Sequence, residues 1–312
     1  MSRTGVQLLK WSPWPIYVSM GVLGVISTLI NFMHSSNFSL LLYFIGFSSW
    51  VFLVGSLFGW WSDMLFEGNY KGDYTSRVKK NLRWGFGFFV TSEVFFFLSF
   101  FASWFYFGVG ENSQVLLGSW PPEGIQPMYP WKIPALNTML LLSSGVCVTL
   151  CQKCVVSMSK FSEWSNLTNK SQQKKSFFMR WFSKKKKENL KFKGKKLLNL
   201  WKTAIISMVL SIVLGAVFMF FQSQEYIWSS VTFSDSTFGG CFFILTGFHG
   251  LHVILGVCAL SICLVRIYLN NFCFRRSFVG LECAILYWHF VDVVWIGVFV
   301  SVYLWPYLFL GN

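Results

Sequence analysis

Trp84-Gly-Phe-Gly-Phe-Phe-Val-Thr-Ser-Glu93-Val-Phe-Phe-Phe-Leu-Ser-Phe-Phe-Ala-Ser-Trp104-Phe-Tyr-Phe-Gly-Val-Gly110 reads as a membrane-crossing helix with one charge at its middle. At a rise of about 1.5 Å per residue it covers about 40 Å, more than the hydrocarbon core of a bilayer. Glu93 lies about 13 Å in from Trp84 by the same rise, close to the midplane. A carboxylate is costly there, so an ionisable group at that depth points to function. Phe86, Phe89, Phe96, Phe97 and Phe100 share its face. Glu93 is therefore expected to be uncharged unless a partner offsets the lost hydration. One position around the helix, Gly85, Ser92, Ser99 and Ser103 form a stripe of small residues, expected to receive a neighbouring helix closely.

The rest of the chain repeats the apolar pattern. Of 312 residues, 54% are hydrophobic, 20% aromatic and only 12% charged, against about 25% charged in ordinary globular proteins. Composition therefore excludes a soluble domain, and the absence of period-two alternation excludes a barrel. The expected fold is all-α and polytopic, with seven transmembrane helices at 14–32, 40–61, 84–109, 134–156, 200–221, 238–264 and 281–304. The short turn at 34–39 makes the first two spans an antiparallel pair. The expected organisation is that pair (1–62), a polar loop (63–83), spans three and four (84–159), a Lys-rich insertion (160–196) and spans five to seven (197–312). A membrane run begins almost at once, so no cleavable presequence is expected.

The net charge of +14 is concentrated rather than spread. Residues 160–196 hold 13 of the 26 basic residues, against the two acids Glu163 and Glu188, which argues against a nucleic-acid partner. That insertion reads either as a solvated, partly disordered segment or as a surface for anionic lipid headgroups. With seven spans, 25 of the 26 basic residues fall on the side of the N-terminus, and Lys132 alone falls on the other. The positive-inside rule then puts the N-terminus inside and the C-terminus outside.

Other motifs carry alternatives. His249 and His252, at i and i+3 in the sixth span, could ligate a metal or haem together, but spacing supplies no third ligand. Hydrogen bonding within the bundle is the plainer reading. In the seventh span Glu282 and His289 share a face with Asp292 one turn beyond, while Trp288 and Trp295 form a separate stripe on the opposite side. A buried ion-pair and hydrogen-bond network through His249, His252, Glu282, His289 and Asp292 is expected, with a proton path as the alternative. Cys151-Gln-Lys-Cys154 has half a zinc or redox spacing and no second half. Most of the eight cysteines sit in or beside apolar runs as small packers. No catalytic set and no metal site is expected on this chain.

Seven stretches together resemble the cytochrome c oxidase subunit III family. They are Ser12-Pro-Trp-Pro15, Trp60-Trp-Ser-Asp-Met-Leu-Phe-Glu-Gly68, Thr91-Ser-Glu-Val-Phe-Phe-Phe97, Trp120-Pro-Pro-Glu-Gly124, Gln224-Glu-Tyr226, Gly247-Phe-His-Gly-Leu-His252 and Tyr287-Trp-His-Phe-Val-Asp-Val-Val-Trp295. They occur in family order across nearly the whole chain. The resemblance implies a multi-pass subunit of the mitochondrial inner membrane, without haem or copper of its own, in an oxidase whose other subunits carry them. It implies contact with subunit I, with subunit II and other oxidase subunits as partners, and support for proton uptake, with Glu93 matching the family's membrane-buried glutamate. It also implies phospholipid between the first two helices and the other five, with Trp60, Trp61, Glu67 and Arg83 as lipid-binding candidates. Two features depart from the family: the insertion at 160–196, and Gln152-Lys153 where the family has paired histidines. An independent ion or proton transporter and a purely structural lipid-holding scaffold are the competing readings. Neither internal repeats nor helix pairs broken at corresponding positions favour the transporter.

Overall fold

The computed structural model describes residues 11–34, 40–71, 74–109, 120–122, 124–173, 183–269, 272 and 278–310, with side chains at 69–70, 161–193 and 309–310 left undescribed. Every regular element among them is helical. α1 is Trp14–His34, α2 Leu40–Phe66, α3 Ser76–Val109, α4 Ile133–Gln173, α5 Ser183–Ile227, α6 Thr237–Tyr268, α7 Val279–Val298 and α8 Trp305–Leu310. A π-helical turn, Glu67–Lys71, extends α2, and another, Phe299–Leu304, joins α7 to α8. Seven of these helical stretches are long and apolar enough to cross a membrane, the last running from Val279 to Leu308.

Helix ends depart most from expectation. α2 and its π-helical turn run on to Lys71 and α3 begins at Ser76, where the side chain of Thr75 accepts from Val78 N at 3.4 Å, so most of the expected polar loop 63–83 is helix. α4 and α5 are 41 and 45 residues long and run into the Lys-rich segment from both ends. Over 160–173 and 183–196 that segment is helical, and 174–182 lies outside the described residues. The physical reason is simple. Lysine, glutamate and glutamine propagate a helix almost as well as leucine does, so an apolar run marks where the membrane ends, not where the hydrogen bonding ends.

The chain divides into two compact units, Met1–Leu82 and Arg83–Asn312. In the first, residues rising along α1 meet residues falling along α2, as an antiparallel pair requires. A Cβ on Gly21 would fall 2.9 Å from Leu53 Cα, and one on Gly24 would fall 2.6 Å from Ser49 Oγ, so bare glycine lets the backbones approach. Where the pair opens, the Trp14 ring lies over Gly59 and its Nε1 donates to Asp63 Oδ2 at 2.7 Å. Two of the stretches that carry the family resemblance thereby touch each other.

In the second unit α4, α5, α6 and α7 close a ring in chain order, with α7 returning to α4. Trp288, fully buried, donates from Nε1 to Ser144 Oγ on α4 at 2.9 Å. Trp295 donates to Thr138 Oγ1, also on α4, at 3.0 Å. The two tryptophans therefore face the same helix as Asp292, not the opposite side: four helical residues turn only about 40° past a full circle. α3 joins the ring through aromatic side chains. Phe97 packs against His252 at 4.9 Å and Phe290 at 6.0 Å, and Trp104 Nε1 donates to the Ser301 carbonyl at 3.0 Å.

Within the second unit the stripe of small residues on α3 receives no neighbouring helix. Gly85, Ser92, Ser99 and Ser103 are exposed, and the three hydroxyls donate to carbonyls of their own helix. The buried face of α3 is instead Phe97 and Trp104, which fill the wider gap to α6 and α7.

The loop before α6 is held by its own polar groups. Asp235 accepts from Thr232 N and Thr232 Oγ1, both at 2.6 Å, and these bonds hold its carboxyl below the usual carboxylate range. Ser236 then caps α6 through Gly239 N. A Cβ on Gly239 would collide with the Thr232 carbonyl oxygen. Gly239→Ala is expected to lift this loop at a cost of about 1–3 kcal/mol. Limited proteolysis at 228–236 should quicken; an unchanged digestion rate would refute the close contact.

Candidate functional site

Glu93 meets a partner. On α3, one turn before Phe97, its Oε2 lies 2.9 Å from Nε2 of His252 on α6. The side chains are 22% and 10% exposed, with Phe96, Phe97, Tyr287 and Phe290 around the imidazole. The other ring nitrogen of His252, Nδ1, lies 2.7 Å from the Phe248 carbonyl oxygen. A carbonyl only accepts, so Nδ1 carries a hydrogen and donates it. Nε2 therefore either accepts from a protonated Glu93 or, as imidazolium, donates to a carboxylate. Both arrangements are neutral overall and differ only in where one proton sits between Oε2 and Nε2. The partner that Glu93 requires is thus a histidine able to take its proton across a single hydrogen bond.

His249, three residues earlier, points elsewhere. Its Nε2 lies 3.2 Å from the Val291 carbonyl, and its ring packs between Phe218 and Trp295. Its Nδ1 is buried without a hydrogen-bond partner in the structure. Three residues of helix place the two histidines about 60° apart, enough to send one towards α3 and the other towards α7. Among the described residues no three His, Cys, Asp or Glu side chains gather as a metal set.

The expected network of five residues separates into parts. Glu282 lies at one end of α7, where its Oε2 accepts from Arg83 Nε at 2.6 Å; it is 32% exposed rather than buried. His289 and Asp292 form a third cluster: Nδ1 to Oδ2 is 3.5 Å, and Nε2 lies 3.2 Å from Thr149 Oγ1 on α4. Glu282 and His289 share a helix face, yet one reaches α3 and the other α4. Asp292 is 8% exposed and His289 42%.

The lipid-binding candidates fall in both units. Trp60 is half-buried and Trp61 exposed on α2, and Glu67 opens the π-helical turn with its Oε1 3.8 Å from Lys71 Nζ. Arg83, at the start of the second unit, is held by Glu282. Cys151 and Cys154 are buried in α4.

One buried acid escaped the sequence reasoning. Glu225, 5% exposed near the end of α5, terminates a directed chain of hydrogen bonds. Asn137 Nδ2 donates to Gln222 Oε1 at 3.3 Å, Gln222 Nε2 to the Tyr303 hydroxyl at 3.4 Å, and Tyr303 to Glu225 Oε2 at 3.3 Å. A charge near a span end reads as interfacial. The signal that could have found it is Gln222 three residues earlier, which gives this end of the helix a polar face.

The family model for cytochrome c oxidase subunit III matches residues 5–169 and 192–307. The unmatched stretch between them lies inside the Lys-rich segment. Among similar curated proteins, cytochrome c oxidase subunit 3 of Lycodon semicarinatus is 38% identical over 299 residues, covering 96% of each chain. Those of Triticum aestivum and Lumbricus terrestris are each 36% identical, over 97% of both chains for the former and 98% of this chain and 99% of the relative for the latter.

Proposed function

This chain belongs to the cytochrome c oxidase subunit III family, and from that membership we propose that it serves as a core subunit of a proton-pumping terminal oxidase in the mitochondrial inner membrane. The observation that carries this reading is the extent of the match, which reaches into all seven spans and omits, besides the first four and last five residues, only 170–191 of the Lys-rich segment. In this reading the chain carries no redox centre. Haem and copper belong to partner subunits, which pass electrons from cytochrome c to O2, while this chain braces subunit I, holds phospholipid and supports proton uptake.

The Glu93–His252 pair supports the proton role. It sits about midway through the span and exchanges a proton internally without creating net charge, which is the least costly way to keep a titratable group in hydrocarbon. The test is to solubilise the complex gently and record its subunit composition and optical spectrum. Haem and copper bands accompanying this chain, with their ligands on other chains, are the expected result. Ion flux by the isolated chain in vesicles would favour a transporter instead.

Orientation follows from charge. The Lys-rich segment faces the matrix, because 25 of the 26 basic residues lie on that side. Protease added to sealed, right-side-out inner-membrane vesicles should leave residues 160–196 uncut; cleavage near Lys184 would reverse the topology.

For lipid, Arg83 is the best-defined candidate. With Nε committed to Glu282, a headgroup phosphate would meet its Nη1 and Nη2, which suits a guanidinium held in one orientation. Arg83→Ala is expected to lower the phospholipid retained per complex; an unaltered phosphorus content would remove Arg83 from the lipid site.

A further inference from the structure

Tyr287 of α7 is buried against the Glu93–His252 pair, whereas His289, two residues on, reaches Thr149 of α4. The Tyr287 ring lies nearly parallel to the His252 imidazole, with 20° between the planes and 6.3 Å between the centroids. It lies equally flat to Phe89 of α3, at 21° and 6.4 Å. Phe89 stands one turn before Glu93. Gly256, one turn beyond His252 on α6, seats α7 here: a Cβ there would meet Tyr287 Cε1 at 3.6 Å and Trp288 Cε3 at 2.7 Å. One ring of α7 thus touches both helices that carry the pair.

The pair needs its imidazole plane held. Both ring nitrogens make their hydrogen bonds in that plane, and a hydrogen bond weakens steeply as it leaves the line of donor and acceptor. His252 has two bonds to satisfy at once. Nδ1 donates to the Phe248 carbonyl of its own helix at 2.7 Å, and Nε2 meets Glu93 Oε2 on another helix at 2.9 Å. A tilt that keeps the first swings Nε2 out of line with the second. Phe97 meets the imidazole at 4.9 Å and 65°, and Tyr287 lies along it, so an edge contact and a flat contact together oppose that tilt.

We infer that Tyr287 is a positioning residue for the proton shared by Glu93 and His252, and that its ring does this rather than its hydroxyl. Among the described residues no hydrogen bond links that hydroxyl to Glu93 or His252. Other titratable groups on the packed helices are engaged elsewhere. His249 turns to the Val291 carbonyl, Glu282 pairs with Arg83, and His289 pairs with Asp292 beside α4. α3 carries no second acid, and its cations end at Arg83. Without the flat ring the imidazole tilts, and the two groups titrate separately instead of sharing one proton. The proposal rests on the proton role given above and names the residue that sets its geometry.

The test compares Tyr287→Phe, Tyr287→Leu and Tyr287→Met with Glu93→Gln in the assembled oxidase, reading the pH dependence of turnover beside the thermal midpoint. Phenylalanine keeps the ring and should retain the wild-type profile. Leucine and methionine remove it and should shift the profile as Glu93→Gln does, with the haem and copper spectra unchanged. A lowered midpoint with an unshifted profile in those two variants would make Tyr287 a packing residue and overturn the proposal. Failure of both to assemble, where the phenylalanine variant assembles, would assign the ring to packing in the same way. A shifted profile in Tyr287→Phe would give the role to the hydroxyl, which overturns it too. If Glu93→Gln shifts the profile and neither ring-less variant does, only the positioning role fails. If Glu93→Gln leaves the profile unaltered, the proton role fails and this one with it.

Discussion

Trp288→Ala should lower the thermal midpoint of the chain in its detergent-solubilised complex, and by more than Gly239→Ala or Glu93→Leu does. Trp288 is fully buried, and three helices close around it. A Cβ on Gly215 of α5 would stand 2.7 Å from the indole, and a Cβ on Gly256 of α6 equally close. From the third side Ser144 of α4 accepts the indole N–H; its own hydrogen is already given to the Leu141 carbonyl at 2.6 Å. The glycines are the sockets and the indole is the key, so alanine leaves a cavity that the helices cannot close without shifting together.

The magnitude depends on the solvent. In water, Trp→Ala in a core costs about 3–5 kcal/mol as a transfer term plus a cavity term. Within a bilayer, lipid tails are as apolar as the core, so the transfer term largely drops out and lost packing remains. The lower end, about 3 kcal/mol, is therefore expected. Trp288→Phe keeps most of the volume and forfeits the hydrogen bond, a loss of about 1 kcal/mol. Melting of the alanine variant at the wild-type temperature would show that the ring of α4 to α7 does not depend on this residue.

The same residues show what a sequence discloses and what it withholds. Seven helices were legible because each needs an apolar run long enough to cross hydrocarbon, and nothing else in a soluble fold produces such runs. Their ends were not, since Arg77, Lys79 and Lys80 continue α3 beyond the apolar stretch. Glu93 was legible as an isolated charge. Its partner was not, because the pairing of α3 with α6 is a tertiary fact that spacing within either helix leaves open. Periodicity grouped Glu282 with His289 and could not say that different helices lay against the two ends of α7. The stripe from Gly85 to Ser103 permits close packing without naming the helix that uses it, and within the second unit the contacts of α3 go to Phe97 and Trp104.

Glu93→Gln should leave the haem and copper spectra of the oxidase unchanged and alter the pH dependence of its turnover or pumping. The geometry separates the two effects. His252 keeps its Nδ1 hydrogen on Phe248, so its Nε2 is free to accept when no proton sits there. A glutamine amide at position 93 can donate to that nitrogen across the same 2.9 Å and preserve the link between α3 and α6. It cannot surrender or take up a proton, so the variant deletes the chemistry while retaining the contact. Glu93→Leu deletes both, leaving Nε2 an unsatisfied acceptor at a cost of about 1–3 kcal/mol. The leucine variant is therefore expected to lose stability where the glutamine variant does not. If the glutamine variant matches the wild type in turnover and pumping from about pH 6 to 9, a range spanning the ordinary titration of histidine, then Glu93 only joins two helices. If the leucine variant is as stable as the wild type, the hydrogen bond contributes nothing and the aromatic packing of Phe97 against His252 and Phe290 holds α3 in place. A changed profile in the glutamine variant, with assembly intact, assigns the shared proton of Glu93 and His252 to the oxidase's proton supply.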